Sequence, residues 1–225
     1  MVEIPGLPAL TALVPMRHHS ERVPGKNYRI VAGKPLYTYI LRSLSECPEV
    51  TSIVVDTDSP VIKDGIGRDF PDVRIIDRPE SLTSDLISIN EILRCDLDNT
   101  AGDLFLQTHA TNPLLRPETI SAAIQAFLGD RKADSLFSVT RLQTRLWSAD
   151  GRAINHDPEN LLRTQDLPPV MEENSCLYIF RRQRFFERNN RIGYHPHLYE
   201  IDAAEAWDVD DELDLRIVSF LLESR

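Results

Sequence analysis

Along the chain, short apolar runs rich in branched residues alternate with stretches whose apolar positions recur every three or four residues. Leu10-Thr11-Ala12-Leu13-Val14 reads as a buried strand stopped by Pro15. Leu36, Ile40 and Leu44, widened by Tyr37 and Leu41, predict a helix after Pro35. Ser52-Ile53-Val54-Val55 is the next strand and Val73-Arg74-Ile75-Ile76 a shorter one. Ser84 or Asp85 could cap a helix whose buried face is Leu86, Ile89, Leu93 and Leu97. Leu104-Phe105-Leu106 is a strand, and Pro117 opens a helix carrying Ile120, Ala123, Ile124 and Phe127, ended by Gly129. Leu136-Phe137-Ser138-Val139 follows as a fifth strand.

Periodicity fails over 140–174, which reads as an excursion from the sheet. Cys176-Leu177-Tyr178-Ile179-Phe180 resumes strand character, and Leu198-Tyr199-Glu200-Ile201 is a weaker strand. Leu213, Ile217, Phe220 and Leu221 predict a last helix, capped by Asp210 or Asp211. Strand–helix alternation with short connections predicts an α/β fold: three layers, with helices on both faces of a mostly parallel, twisted, Rossmann-like sheet. The expected division is a core of 1–139 and 175–225, with 140–174 set apart as the excursion.

Composition narrows the partners. Lys and Arg number 25 against 35 Asp and Glu, a formal charge of −10, so the average field repels nucleic acid and anionic lipid. No run approaches the roughly 18 apolar residues of a membrane span. Glu3, Pro5 and Pro8 precede the first apolar run, which does not read as a signal peptide. Cys47, Cys95 and Cys176 are far apart without CxxC spacing, the pattern of reduced thiols in a cytoplasmic protein.

Against this acidic background one segment is basic. Between Arg17 and Lys34 stand five cations (Arg17, Arg22, Lys26, Arg29, Lys34) and one acid, Glu21, a local excess of +4. It leaves the carboxyl end of the first strand, where open α/β sheets bind ligands. Cations there can neutralise a triphosphate through charge-assisted hydrogen bonds, each worth roughly 1.5–3 kcal/mol. A solvated basic loop is the alternative on charge alone. Two common phosphate motifs are excluded. A P-loop would need glycine where Ser20 stands and Ser or Thr where Asn27 stands, and Phe70 occupies the third glycine's place after Gly65-Ile66-Gly67.

The turn Leu13-Val14-Pro15-Met16-Arg17, Pro24-Gly25-Lys26-Asn27 and Gly33-Lys34-Pro35-Leu36 resembles the N-terminal signature of acylneuraminate (sialic acid) cytidylyltransferases and their CMP-Kdo relatives. The resemblance implies that Arg17 and Lys26 bind the CTP triphosphate, that Asn27 lies against the nucleotide, and that Ser20 and Arg22 belong to the same turn. His18-His19-Ser20-Glu21 departs from the family's Gly-Gly-Ser-Lys and makes the turn stiffer and less positive. Val54-Val55-Asp56-Thr57-Asp58 is similar to the family's second strand, and Arg78-Pro79-Glu80-Ser81-Leu82 to a run whose arginine lies near the base. Leu106-Gln107-Thr108-His109-Ala110-Thr111-Asn112-Pro113-Leu114 resembles an element whose glutamine contacts the sugar acid, one residue longer here. Glu173-Asn174-Ser175-Cys176-Leu177-Tyr178-Ile179 resembles the Asn-Gly-Ala-Ile-Tyr-Ile strand. Arg163-Thr164-Gln165 is similar to the place where an arginine meets the sugar carboxylate, and Arg145 is a weaker cation donated across a subunit boundary.

Asp208 and Asp210 project to one side of an extended segment, a pair of hard oxygen ligands suited to Mg²⁺ or Mn²⁺. Helix capping explains the same acids equally well. The resemblance of Trp207–Leu215 to the family's Ile-Asp-x-x-x-Asp-Leu ending favours the metal. Two further Asp-x-Asp pairs show how little the pattern says alone: Asp96/Asp98 reads as solvated at a helix end, and Asp56/Asp58 as supporting the ligand edge of a strand. His18 and His19 could donate to phosphate, while His195-Pro196-His197 reads as a turn before a strand.

These expectations converge on a homodimeric, cytoplasmic nucleotidyltransferase. It would join CTP to a 2-keto-3-deoxy sugar acid, giving a CMP-sugar for surface glycans and pyrophosphate. Arg17, Lys26 and Asp210 would carry the catalysis, and Arg78, Gln107 and Arg163 would bind the substrates. Its base would be a carboxylate near Asp210 or the metal-activated hydroxyl itself. Competing readings are a nucleotide-sugar-dependent glycosyltransferase and a non-catalytic nucleotide-binding module.

Overall fold

The computed structural model describes residues 8–224, so Glu3 and Pro5 lie outside the described residues. In chain order the elements are β1 (Leu10–Pro15), β2 (Ile30–Val31), β3 (Lys34–Pro35), α1 (Tyr37–Glu46), β4 (Val50–Thr57) and α2 (Pro60–Asp69). Then come β5 (Arg74–Asp77), α3 (Ile89–Asp98), β6 (Leu104–Thr108), α4 (Pro117–Gly129) and β7 (Ser135–Leu142). The chain finishes with β8 (Val170–Arg181), α5 (Arg182–Arg188), β9 (Pro196–Glu200) and α6 (Glu212–Glu223). No helix among the described residues is long and apolar enough to cross a membrane.

Seven strands form one sheet in the order β5-β4-β1-β6-β8-β7-β9, with β8 antiparallel to both neighbours and every other pairing parallel. Period-two alternation sends each strand's residues to two separate cores. Ala12, Val14, Ile53, Val55, Leu104 and Leu106 meet α1, α2 and α4 on one face. Leu13, Val54, Phe105, Tyr178 and Phe180 meet α3 and α5 on the other. The order reverses at β1, since the chain steps outward to β4 and β5 and then crosses to β6. The crevice beyond the carboxyl end of β1 is therefore where an open sheet of this kind receives a ligand.

Several details correct the expectations from sequence. The helix placed after Ser84 begins later: Ser88 is the cap of α3, in a reciprocal box with Glu91. Leu86 stands 94% exposed rather than on the buried face. Gly65 and Gly67 lie in α2, a helix absent from the periodic reading and set by Ser59 as cap and Pro60 in the first turn. Asp211, not Asp210, caps α6, and the buried face is Leu215 and Val218, leaving Leu213 and Phe220 exposed. Asp96 is not solvated. It is 1% exposed, on the face α3 turns to the sheet.

Within 140–174, the β7–β8 ladder reaches Leu142 and Val170. Regular pairing gives way only beyond those residues, in 143–169. That stretch exposes Trp147, Ile154, Leu161 and Leu162.

Candidate active site

The basic turn is built on Gly25, whose φ of 67° lies in the left-handed region. A Cβ there would also stand 2.6 Å from the Tyr28 ring. The Asn27 side chain is buried and donates to the Arg17 carbonyl at 2.9 Å, tying the two ends of the turn together. His18 is a structural member of the loop: its backbone N–H donates to Asp58 Oδ1 at 2.7 Å, its Nδ1 is 2.8 Å from Ser59 Oγ, and its ring stacks on Tyr28. The altered His18-His19-Ser20-Glu21 stretch is thus anchored to the end of β4 and the start of α2, and Glu21 points to solvent.

A third apolar cluster joins this turn to the C-terminal segment. Val23 packs with Val31, Leu36 and Leu114, and with Val209, Leu215 and Val218. Val209 lies between the two aspartates of interest, so its burial against Val23 brings them to the turn. Lys26 Nζ donates to the Val209 carbonyl at 2.6 Å and stands 3.5 Å from Asp210 Oδ1. Arg22 Nη2 donates to the same Oδ1 at 2.6 Å. Arg17 pairs with Asp85 on the opposite rim.

Two cavities meet at Asp210. The first, about 330 Å³, is lined by Arg17, Ser20, Arg22, Lys26, Asn27 and Arg78, with His109 and Asp210. The second, about 540 Å³, is lined by Thr140, Glu172–Ser175, Trp207, Asp208 and Asp210. All six residues assigned to the nucleotide from sequence therefore face one chamber. Asp208 and Asp210 face the other together, and Asp210 belongs to both.

Burial, and then the charge of Asp210, push the Asp208 carboxyl above its usual range, against a Thr111 side-chain hydrogen bond and the charge of Lys26. Its Oδ1 is buried without a hydrogen-bond partner. An orphaned carboxylate oxygen beside a second carboxylate is a donor set that a divalent cation would satisfy. No group of three or more His, Cys, Asp or Glu suited to a metal occurs among the described residues. A cation held here would draw its remaining ligands from bound phosphate and water, as Mg²⁺ does.

Arg78 is buried and ion-paired through Nε to Asp56 Oδ1. Gln107 is fully buried at the end of β6, where its Nε2 lies 3.1 Å from His109 Nε2 and its Oε1 accepts from Arg191 Nη1. Burial, reinforced by the charges of Arg191 and Lys26, drives the His109 pKa down to about 3, so the ring is neutral. Arg191 was missed in the sequence. Its guanidinium lies 3.4 Å from the Tyr178 ring centroid, and no carboxylate stands within ion-pair distance among the described residues. Only its place after α5, opposite the Gln107–Tyr178 pairing of β6 and β8, gives it away. Arg163 is not gathered in: it is exposed on the excursion and paired with Asp166 at 2.6 Å. Arg145 likewise stays on the excursion, donating to the Leu162 carbonyl.

Known proteins resemble this chain in sequence and in fold. The chain is 24% identical over 224 residues to the post-translational flagellin modification protein B of Campylobacter coli, covering 93% of each. It is 29% identical over 231 residues to the CMP-N,N'-diacetyllegionaminic acid synthase of Legionella pneumophila, covering 95% of this chain and 96% of that one. A solved CMP:2-keto-3-deoxy-manno-octonic acid synthetase, in complex with CTP, shares the fold with a TM-score of 0.71 at 16% identity, over 96% of this chain and 99% of the other. The model of the cytidylyltransferase family matches residues 11–223. With that match across the sheet, the basic turn and the paired aspartates, the chain belongs to the cytidylyltransferase family.

Proposed function

We propose that this protein transfers the cytidylyl group of CTP to a 2-keto-3-deoxy sugar acid of the sialic or legionaminic type, releasing pyrophosphate. The observation that carries the reading is the sharing of Asp210 between a cation-lined cavity and a carboxylate-lined one. Two chambers that meet at one carboxylate suit a reaction that joins two substrates. Arg17, Arg22 and Lys26 face the triphosphate, with Ser20 and Asn27 shaping the turn and Arg78 deeper in the same chamber. The anomeric hydroxyl oxygen forms a bond to the α-phosphorus as the bond from that phosphorus to the bridging oxygen of pyrophosphate breaks, and the hydroxyl proton passes to a carboxylate near Asp210 or to solvent water. Lys26 and Arg22 stabilise the charge that accumulates on the leaving pyrophosphate.

Asp208 and Asp210 are the residues that would hold Mg²⁺ or Mn²⁺. A bound divalent ion supplies charge neutralisation of the phosphates and polarisation of the phosphorus. Arg22 and Lys26 stand against the same Asp210 carboxylate. The acceptor is assigned to the side of Gln107 and Arg191, a guanidinium that no carboxylate among the described residues approaches within ion-pair distance, though the charge of Glu173 acts on it.

The cation-lined chamber lies within the core of 1–139 and 175–225, while Thr140 and Glu172–Asn174 at the base of the excursion join the lining of the other. The excursion's exposed Trp147, Ile154, Leu161 and Leu162 support contact with a second copy there. Synthesis in the cytoplasm fits the three unpaired cysteines, and a product destined for a surface structure fits a relative named for flagellin modification.

Pyrophosphate release from CTP, UTP and GTP against a panel of 2-keto sugar acids tests the reading. Release with CTP and one or more of these acids is expected. CTP binding without release under any of them would favour a nucleotide-binding module, and consumption of a nucleotide-sugar a glycosyltransferase.

A further inference from the structure

Beneath the cation-lined chamber lies a buried group of two acids and one base. Asp56, at the end of β4, is 1% exposed, Asp96, on α3, is 1% exposed, and Arg78, just after β5, is 8% exposed. Arg78 pairs with Asp56 through Nε and reaches the Asp56 carbonyl with Nη2 at 3.4 Å. The group therefore has one positive charge and two carboxyl groups in a water-excluded space. Two ionised carboxylates there would leave a net negative charge, which a protein interior does not tolerate without a partner.

The oxygens tell the same story. Asp56 Oδ2 and Asp96 Oδ1 are both buried without a donor. Asp56 shares a face of β4 with Val54, which packs with Leu93 and Leu97 of α3, so the buried Asp56 and Asp96 meet between that strand and that helix. One proton placed between the two carboxyl groups supplies the missing donor and brings the triad to neutrality.

We propose that Asp96 is a positioning residue: it stays protonated, donates to Asp56, and so holds Arg78 in the orientation with which it meets the nucleotide. The inference rests on the cytidylyltransferase reading for the identity of that nucleotide, but the protonation itself does not. Burial, the charge of Asp56 and the hydrogen bond to Asp56 raise the Asp96 pKa to about 9, against the lowering charge of Arg78. The charged or titratable groups around it are Asp56 from β4, Arg78 from the segment after β5, and Cys95 and Asp98 on its own helix. Asp96 is thus an acid that remains a hydrogen-bond donor through the physiological range.

Three measurements test this. In protein labelled with ¹³C at aspartate carboxyls, and assigned with Asp96→Asn, the Asp96 signal is expected to titrate above pH 8; titration below pH 5 overturns the proposal without reference to any ligand. For CTP binding by calorimetry at pH 7, Asp96→Asn retains a donor toward Asp56 and is expected to bind within about twofold of wild type. Asp96→Ala is expected to weaken CTP at least tenfold while leaving the KM of the sugar acid unchanged. Loss in Asp96→Asn equal to that in Asp96→Ala overturns the proposal. Finally, wild-type affinity for CTP falls as pH rises through about 9 and that of Asp96→Asn does not; identical alkaline limbs overturn it. A wild-type protein that binds no CTP would instead refute the nucleotide assignment, leaving the carboxyl titration to decide the protonation.

Discussion

Arg22 Nη2 and Asp210 Oδ1 lie 2.6 Å apart although 188 residues separate them, closing the basic turn against the segment that precedes α6. The same carboxylate oxygen is 3.5 Å from Lys26 Nζ. Asp210 therefore sits where it would compete with a triphosphate for Arg22 and Lys26, and where a divalent ion would compete with those cations for its carboxylate.

Replacing Asp210 with Asn is expected to lower kcat by 10² or more and to raise the Mg²⁺ concentration needed for half-maximal rate. The variant keeps the shape of the side chain and removes the charge that holds a cation. Titration of activity with Mg²⁺ checks it. An unchanged metal requirement would take Asp210 out of the metal site and leave it as a partner of Arg22.

Lys26→Ala is expected to cut kcat by about 10²–10³, the scale for removing one preorganised charge-stabilising donor. Lys26 also ties down the Val209 carbonyl at 2.6 Å, so a smaller loss in thermal stability accompanies it. Steady-state kinetics beside a melting curve separates the two. Wild-type turnover would remove Lys26 from the mechanism.

Gly25→Ala combines a left-handed φ of 67° with a Cβ placed 2.6 Å from Tyr28. A non-glycine residue in that region costs ~1–3 kcal/mol, and the ring must also move. The expected result is a lower Tm together with weaker CTP binding, because the ring that shifts also stacks on His18. Calorimetry of unfolding and of CTP binding reads both.

The stability of the fold should carry the signature of Asp96. Its folded pKa of about 9 lies above the ordinary carboxyl value of 3.8. Its favourable contribution is therefore complete below about pH 4 and is lost progressively as pH rises toward 9. Asp96→Asn has no such proton to lose. Its Tm relative to wild type is expected to increase from pH 5 to pH 9 and then level off. A difference that stays constant over that range would contradict the raised pKa.

Arg191→Met keeps contact with the Tyr178 ring and removes the charge. The KM for the sugar acid is expected to rise at least tenfold while that for CTP moves less than twofold. Equal changes in both would mean that Arg191 supports the shared floor of the site through Gln107 rather than receiving the acceptor.

Much of this molecule was legible before any coordinates. The runs around Leu13, Val54, Phe105 and Tyr178 are strands because branched and aromatic residues alternate between two buried faces, a local property of the chain. The basic turn was legible because five cations crowd one loop of an acidic protein, and its Pro-Gly-Lys-Asn motif carries a conformation that Gly25 alone permits.

Sequence did not settle which of several equivalent choices each element would make. In α6, Leu213, Ile217 and Phe220 line one side and Leu215 and Val218 another; the second was chosen because Val23, Leu114 and Val209 wait there. In α3, Asp96 follows Ile92 and Leu93 at helical spacing and so falls within the buried stripe, beside Asp56 and Arg78 from β4 and the end of β5. Arg163 and Arg191 are alike as residues, yet one lies out on the excursion and the other against Gln107 and the Tyr178 ring. The chain by itself determined the strands, the cationic turn and the family, because these are written in local pattern and charge. Tertiary structure alone decided which acids lost their water, since burial depends on neighbours brought from distant parts of the chain, and burial sets the charge a side chain can carry.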